Sequence, residues 1–270
     1  MYDFNFGSQE DIRRSPEEFL IFVKRLLPRW ANGIPDSECV AIFRALEPYR
    51  DSGSSLVETG SGASSLALFL HCALYGGTMY SWDTNASKGA YLRSVASDAI
   101  GRVLGVDVHK IWRFVAFDST NPHVGLPVMR ELNITPVFGF FDSWHTLEHL
   151  TLEISQFTEI CASRATIAID DAYYTKRYEN YSYINMLRAK LGLGSVQEPV
   201  DNVCQPYYVE IENLLKSTFS RVEKIEDSYK QDFQSDLFFE YFESDRYFMN
   251  QLGMEQKNAL AHRFDAWRVS

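Results

Sequence analysis

Acidic residues follow five predicted strands of this sequence, each at the point where the strand ends. In an open parallel sheet the carboxyl ends of the strands meet at one edge, and ligands bind there. A single aspartate at such a position could instead cap the next helix, but agreement at five strand ends favours a shared site. The acidic positions are Glu58, Asp83, Asp118, Asp142 and the adjacent pair Asp170 and Asp171.

The last three of these carboxylates predict a metal site. Asp170 and Asp171 follow the apolar run 165–169, and two adjacent carboxylates repel each other unless a cation or a donor compensates them. Asp142 ends the preceding strand, 137–141. Three carboxylates from neighbouring strand ends suit Mg²⁺, which prefers oxygen ligands. In the alternative interpretation Asp171 caps the next helix and only Asp170 faces the cleft.

One histidine is a candidate general base. His145 lies three residues after Asp142, where the predicted strand gives way to a helix. Neighbouring carboxylates would support a protonated imidazole at that position. We expect the remaining histidines to be packed or surface residues: His71, His109, His123, His149 and His262.

A glycine motif follows the first predicted strand. Residues 56–65 read Leu-Val-Glu-Thr-Gly-Ser-Gly-Ala-Ser-Ser, which predicts a buried strand, a tight turn and a helix start. Such a junction lets backbone N–H groups approach a nucleotide-like ligand. Ser65 stands where a dinucleotide fingerprint has its third glycine, and no Tyr-x-x-x-Lys set is present. An NAD-dependent oxidoreductase is therefore disfavoured.

Composition limits the classes of partner. The chain has 270 residues and a formal net charge of −10, and no run of Lys and Arg is visible. Nucleic acids and anionic membranes require a basic face, so neither is an expected partner. The longest apolar run, near residues 66–75, contains His71 and is too short to cross a bilayer.

Cysteine usage and the N-terminal residues bear on the compartment. No two of the four cysteines have metal-ligand or redox-motif spacing. Residues 1–8 do not show a basic segment followed by an apolar segment, the pattern of a targeting signal. We therefore predict a cytoplasmic protein. The cysteines are Cys39, Cys72, Cys161 and Cys204.

The elements that must position these residues alternate along the chain. Strands are predicted at 56–58, 78–82, 111–117, 137–141 and 166–169; helices at 64–75, 87–104, 127–132, 145–162 and 208–219. This alternation predicts a parallel sheet with helices on both faces. Two period-2 runs, 221–226 and 236–242, predict an antiparallel hairpin at the sheet edge.

The ends of the chain are predicted to be helical. Ser15 and Glu18 could form a capping box around Pro16, and a second helix should follow over residues 36–46. The predicted organisation is an N-terminal helical extension (1–50), a central α/β domain (51–243) and a C-terminal amphipathic helix (244–270).

Together these motifs resemble class I S-adenosylmethionine-dependent methyltransferases. Residues 56–62 are similar to the first motif of that family, and the hairpin would supply the reversed last strand of its Rossmann-like, seven-stranded sheet. Residues 140–145 with 167–171 resemble the metal-dependent O-methyltransferases of the macrocin and mycinamicin type. The resemblance covers roughly residues 51–243. Two positions depart from it: Asp142-Ser-Trp-His145 replaces the usual Asp-Gly-x-His, and Leu147 replaces a frequent tyrosine.

The resemblance implies a role for each candidate residue. The glycine motif would line the methionine side of S-adenosylmethionine, Asp83 would bind the ribose hydroxyls, and Asp118 would lie near the adenine. Asp142, Asp170 and Asp171 would bind Mg²⁺, with His145 as the catalytic base. The implied cofactor-binding set is Glu58, Gly60, Ser61, Gly62, Ser64, Asp83 and Asp118.

The acceptor is expected to be a sugar, a glycan or another small molecule that carries a hydroxyl. The tyrosine-rich residues 173–183 and the N-terminal helices are predicted to cover it, although the tyrosines could equally just pack a helix. Two alternatives stay open: a metal-independent methyltransferase, and an inactive binding protein with the same fold. The sequence is also compatible with a homo-oligomer.

Overall fold

A seven-stranded sheet forms the centre of the protein. The computed structural model describes residues 8–50, 53–144, 146–172, 181–190, 192–197, 205–225 and 264–270. Within these residues the strand order is β3-β2-β1-β4-β5-β7-β6, with β1 to β5 parallel and β7 antiparallel to both of its neighbours. The strands are β1 (Ser55–Thr59), β2 (Thr78–Trp82), β3 (Trp112–Val115), β4 (Pro136–Phe141), β5 (Ala165–Ile169), β6 (Val222–Lys224) and β7 (Asp265–Val269).

The helices agree with the predicted alternation. The predicted segment 87–104 contains a π-helical stretch, Ala96–Gly101, between two α-helices. Single 3₁₀ turns occupy Arg29–Ala31 and Glu47–Tyr49. The α-helices are α1 (Gln9–Arg14), α2 (Pro16–Lys24), α3 (Asp36–Ala45), α4 (Ser64–Tyr75), α5 (Ala86–Val95), α6 (Arg102–Leu104), α7 (Val108–Ile111), α8 (Val128–Glu131), α9 (Leu147–Thr158), α10 (Tyr181–Lys190) and α11 (Tyr207–Thr218).

Both faces of the sheet are covered. Successive strand residues point to opposite faces, and Leu56 of β1 packs with α4 while Val57 packs with α9 and α11. On β4, Phe140 lies on the first face and Phe141 on the second. Burial on both faces explains why these strands read as continuous apolar runs. The predicted Rossmann-like sheet with helices on both faces is confirmed.

The N-terminal helices share the core of the first face. Phe19 and Leu20 of α2 are buried in the same apolar cluster as α4. Pro16 occupies the first position of α2 as predicted, but Ser15 makes no side-chain capping hydrogen bond, so the expected capping box does not form. The helical extension is therefore attached to the sheet by apolar packing.

The predicted C-terminal helix is wrong for residues 265–269. These residues form β7, which pairs with β5 and β6. Trp267 is fully buried, and Asp265 accepts a hydrogen bond from the Lys224 ammonium at 2.8 Å. The sheet thus extends beyond the boundary predicted at residue 243. Four of its five residues are buried and only Arg268 is exposed, so the segment lacks a full period-2 pattern and could not be distinguished from a helix.

The reversed last strand of the sheet is confirmed, but its residues are not those predicted. Residues 236–242, predicted as the second strand of the hairpin, lie outside the described residues. Among the described helices, none combines the length and the apolar character needed to cross a bilayer.

Candidate functional site

The glycine turn after β1 contacts the loop after β4. Gly60 has a φ of +78°, and its N–H donates to the carbonyl of Trp82 at 2.8 Å. A Cβ on Gly60 would overlap the main-chain oxygen of Asp142. We expected this glycine to admit a ligand. The structure shows that contact with the protein's own chain already requires it.

Glu58 stabilises this turn through hydrogen bonds with two serines. It is fully buried, and its two carboxylate oxygens accept hydrogen bonds from the Ser64 and Ser65 hydroxyls, both at 2.6 Å. Ser65 also accepts the Gly62 N–H at 3.1 Å. Burial raises the pKa of the Glu58 carboxyl to about 7, although the two serine hydroxyls act in the opposite direction.

This arrangement explains the serine that breaks the dinucleotide fingerprint. Ser65 joins the strand-end acid to the turn, a function that a glycine could not perform. Both oxygens of Glu58 already accept a hydroxyl, one of them from Ser64. The predicted cofactor contacts of Glu58 and Ser64 stay predictions, and the structure shows a supporting role for both.

Asp83 lies beside the same turn. Its carboxylate accepts the N–H groups of Ser61 at 2.9 Å and Asn85 at 2.8 Å. The Lys88 ammonium lies 3.5 Å from it. The Ser61 hydroxyl oxygen is buried and has no hydrogen-bond partner among the described residues. The ends of β1 and β2 therefore meet through Ser61 and Asp83, and the predicted cofactor contacts of both residues stay predictions.

Asp118 follows β3 and is almost fully buried. One carboxylate oxygen accepts from the N–H and the hydroxyl of Thr120, at 2.8 and 2.6 Å. The other oxygen is buried without a hydrogen-bond partner in the described part of the chain. Because an unmet buried acceptor costs stability, a donor from a ligand would fit this position.

Three carboxylates converge after β4 and β5. Asp142, Asp170 and Asp171 each place an oxygen within 4.8 Å of the others. Asp171 has a φ of +53°, and its N–H donates to Asp170 at 2.7 Å. Because Asp171 belongs to this cluster together with Asp170, the alternative in which only Asp170 faces the cleft disagrees with the structure.

A small cavity adjoins these carboxylates. Its volume is about 20 Å³, enough for a water molecule or an ion. All three aspartates line it, together with Trp144 and Glu153. Oxygen donors of this kind are those that Mg²⁺ prefers, so the residues present fit a divalent cation.

Glu153 is a site residue that the sequence analysis missed. It lies on α9 and is fully buried, and one of its oxygens accepts from the hydroxyls of Ser119 and Ser143, the latter at 2.9 Å. Ser119 follows Asp118, and Ser143 follows Asp142. A single carboxylate therefore joins the loops after β3 and β4. Its other oxygen has no hydrogen-bond partner among the described residues.

His149 belongs to the same group. Its Nε2 lies 3.4 Å from the Glu153 carboxylate, one helical turn away, and its ring packs against Trp144. The spacing of His149 and Glu153, four residues apart in a predicted helix, could have indicated this contact. Both residues lie on the apolar face of α9 with Leu150 and Ile154. His145, the predicted base, lies outside the described residues.

The N-terminal extension lies close to the glycine turn. The carbonyl of Ala31 would lie 3.8 Å from a Cβ on Gly62. Trp30 packs against Tyr91 of α5, with ring centroids 5.0 Å apart, yet keeps 58% of its surface exposed. This aromatic pair lies close to the predicted cofactor site.

Comparison with known proteins shows the fold and not the family. No family model and no curated protein matches the sequence. Among solved structures, the chain is similar to the O-methyltransferase TomG from Streptomyces achromogenes, which is involved in tomaymycin synthesis and was solved in complex with SAM. The two sequences are 11% identical. The match covers 100% of this chain and 99% of that one, with a TM-score of 0.50. The chain therefore has the α/β Rossmann-like fold of methyltransferases.

Two further similarities are weaker. An O-methyltransferase from Bacillus cereus, in complex with SAH, is 14% identical, covering 78% of this chain and 82% of that chain with a TM-score of 0.49. The MycE methyltransferase of the mycinamycin biosynthetic pathway, in complex with Mg and SAH, is 15% identical, covering 52% of this chain and 32% of that chain with a TM-score of 0.37. Scores below 0.5 add nothing to the fold assignment.

Proposed function

We propose that this protein is an S-adenosylmethionine-dependent O-methyltransferase that acts on a hydroxyl of a sugar, a glycan or another small molecule and uses Mg²⁺. One observation carries the proposal. The glycine turn touches the main chain of Asp142, whose carboxylate converges with Asp170 and Asp171. A nucleotide-type turn and a cluster of oxygen ligands therefore meet at the carboxyl edge of a methyltransferase-type sheet.

The cofactor-binding residues fit this proposal. Asp118 offers a buried carboxylate oxygen, and Ser61 a buried hydroxyl, that lack partners in the described part of the chain. A Cβ added to Gly62 would make only ordinary contacts, with no atom closer than 3.8 Å. These groups would hold and orient S-adenosylmethionine.

The three converging carboxylates, called here the acid cluster, would bind the metal ion that activates the acceptor hydroxyl. When bound, S-adenosylmethionine supplies an electrophilic methyl group, and Mg²⁺ lowers the pKa of a hydroxyl that it coordinates. Asp142, Asp170 and Asp171 would hold the metal at the strand ends. His145 is proposed to remove the acceptor proton as a general base. Trp30, which adjoins the glycine turn, and Tyr91, which packs against Trp30, are proposed to shield the cofactor from solvent.

Methyl transfer can be measured with labelled S-adenosylmethionine and a panel of sugars, nucleotide sugars and phenols. We expect transfer to at least one hydroxyl, loss of activity with EDTA and recovery with Mg²⁺. Asp170→Asn should abolish transfer while S-adenosylhomocysteine still binds. Full activity of the chelator-treated enzyme would refute the metal requirement and favour the metal-independent alternative.

The inactive binding protein is the second candidate. It would bind S-adenosylhomocysteine as tightly as an enzyme does but transfer no methyl group to any acceptor of the panel. Binding of NAD⁺ in place of S-adenosylhomocysteine would contradict both candidates.

A further inference from the structure

A wide groove lies at the amino edge of the sheet, away from the acid cluster. Its volume is about 470 Å³, within the range of small-molecule sites. Three arginines line it, Arg164, Arg221 and Arg268, together with Tyr49 and Glu223. Neither the glycine turn nor the acid cluster contributes a lining residue among those described.

The topology brings these arginines together from three neighbouring strands. Arg164 immediately precedes β5, and Arg221 immediately precedes β6. Arg268 lies near the end of β7 and pairs with Thr166 across the sheet. Because β7 runs antiparallel to β5 and β6, its end meets their starts. The strand order therefore places the three guanidinium groups at one edge.

The groove is separate from the proposed methyltransferase site. Arg164 and Asp170 flank the two ends of β5, which has five residues. A strand rises about 3.3 Å per residue, so the two sites lie on the order of 17 Å apart. β7 begins at the carboxyl edge, since Asp265 pairs with Ile169 there. The amino edge is the opposite one.

Charge at the groove is the reverse of that of the whole chain. The protein carries a formal net charge of −10, yet arginines outnumber acids among the lining residues. Glu223 pairs with Arg221 at 3.0 Å. Within the described ranges, Arg164 and Arg268 make no ion pair. Glu223 also lies directly opposite Arg268 in the β6–β7 pair, so one acid faces two arginines and a bound anion would balance the remaining positive charge.

Tyr49 supplies a contact surface within the groove. Its hydroxyl shares a hydrogen bond with Thr166 at 2.9 Å, which fixes the ring against β5. Burial raises the pKa of the Tyr49 hydroxyl, and the positive charge of Arg268 acts in the opposite direction. Thr166 is the register partner of Arg268, so Tyr49 and Arg268 line the same part of the groove, a combination that suits an organic anion.

We propose that this groove is a binding site for a small organic anion with two or more negative charges, such as a phosphate ester or a polycarboxylate. The planar guanidinium group presents paired donors that match phosphate and carboxylate oxygens. Arg164 and Arg268 bind the anionic groups, and Tyr49 contacts the remainder of the ligand. The site is independent of methyl transfer.

Calorimetry with the full chain tests this site. Pyrophosphate and citrate are titrated separately in metal-free buffer, with the protein saturated by S-adenosylhomocysteine so that the carboxyl edge is occupied. We expect saturable binding of one anion per chain. Arg164→Gln and Arg268→Gln should each weaken it by about tenfold, the scale of one lost charge-assisted hydrogen bond. Tighter binding of pyrophosphate would identify phosphate esters as the ligand class, and tighter binding of citrate would identify carboxylates.

Arg102→Gln is the matched control, because Arg102 is an exposed arginine elsewhere on the surface that pairs with Asp98. It should leave anion binding unchanged. No saturable binding to the wild-type chain would overturn the proposal. The proposal is also overturned if the Arg164 and Arg268 variants bind the anion as tightly as the wild type. The same holds if Arg102→Gln weakens binding as much as the groove variants do. Unchanged thermal unfolding of the variants shows that a loss of binding is not a loss of fold.

Discussion

The main-chain oxygen of Asp142 occupies the space that a side chain on Gly60 would need. This contact joins the turn after β1 to the loop after β4. One loop is proposed to hold the cofactor, and the other carries a proposed metal ligand. The close approach therefore fixes the distance between the two parts of the candidate site.

Gly60→Ala should destabilise the fold. The substitution meets a positive φ, which costs roughly 1–2 kcal/mol for an L-residue, and it also forces the loop of Asp142 to move, which adds about 1–3 kcal/mol. Gly53→Ala is the control, because Gly53 has a φ of +57° but no atom within 4 Å of the added Cβ. Urea unfolding should show a clearly larger loss for Gly60→Ala, and equal losses would contradict the steric account.

The pH dependence of stability should report on Glu58. Burial raises the pKa of its carboxyl to about 7 in the folded protein, from an ordinary value of 4.5. Between these values the unfolded chain releases the proton while the folded chain keeps it. Stability therefore falls as pH rises through this window, by at most about 1.4 kcal/mol per pH unit.

Glu58→Gln should remove that contribution. Urea unfolding at pH 5 and pH 7 should show a smaller fall in stability for the variant than for the wild type. Glu17→Gln is the control, because Glu17 lies in a half-exposed ion pair with Arg44. Its free energy of unfolding should change with pH as that of the wild type does. The interpretation fails if Glu58→Gln and the wild type have the same pH profile.

Glu153 should be important for the order of the site loops. Glu153→Ala leaves the hydroxyls of Ser119 and Ser143 without their shared acceptor, at about 1–3 kcal/mol for each unsatisfied group. Glu153→Gln keeps an acceptor oxygen and should lose less. Glu159→Ala, at an exposed pair with Arg130, should cost less than about 1 kcal/mol. Thermal or urea unfolding measures all three, and similar effects of Glu153→Ala and Glu159→Ala would refute the role.

Much of the fold could be predicted from the sequence because its elements are local and strongly patterned. β2 and α4 have the predicted bounds, Thr78–Trp82 and Ser64–Tyr75. β7 could not be predicted, because its strand character depends on pairing with Ala165–Ile169, about a hundred residues earlier. Short apolar segments carry no information on such distant partners.

In the candidate site, the residues at the strand ends could be predicted from the sequence, but the contacts that hold the loops in place could not. A parallel sheet brings strand ends together by rule, so the meeting of Asp142 with Asp170 followed from the pattern. The contact of Ser143 with Glu153 joins a loop to a helix face, and no spacing rule predicts it. The close approach of the Asp142 oxygen to Gly60 was not predicted, and the cofactor contact of Gly60 stays a prediction.

The identity of the base is a separate prediction. If His145 is the general base, His145→Ala should lower turnover by about 10²–10⁴-fold and leave cofactor and metal binding nearly unchanged. His149→Ala is the comparison, because His149 lies on α9 and contacts Glu153 one turn along the same helix. A large fall in turnover for His149→Ala, with His145→Ala close to the wild type, would transfer the role to His149.

Calorimetric titration of the purified protein with S-adenosylhomocysteine tests cofactor binding directly. We expect saturable binding of one molecule per chain. Asp118→Asn, which replaces a buried carboxylate whose second oxygen lacks a partner among the described residues, should weaken binding by about tenfold or more, the scale of a hydrogen bond to a charged group. Asp98→Asn, at an exposed ion pair, should not. Absence of saturable binding to the wild-type protein would show that it is not an S-adenosylmethionine-dependent enzyme.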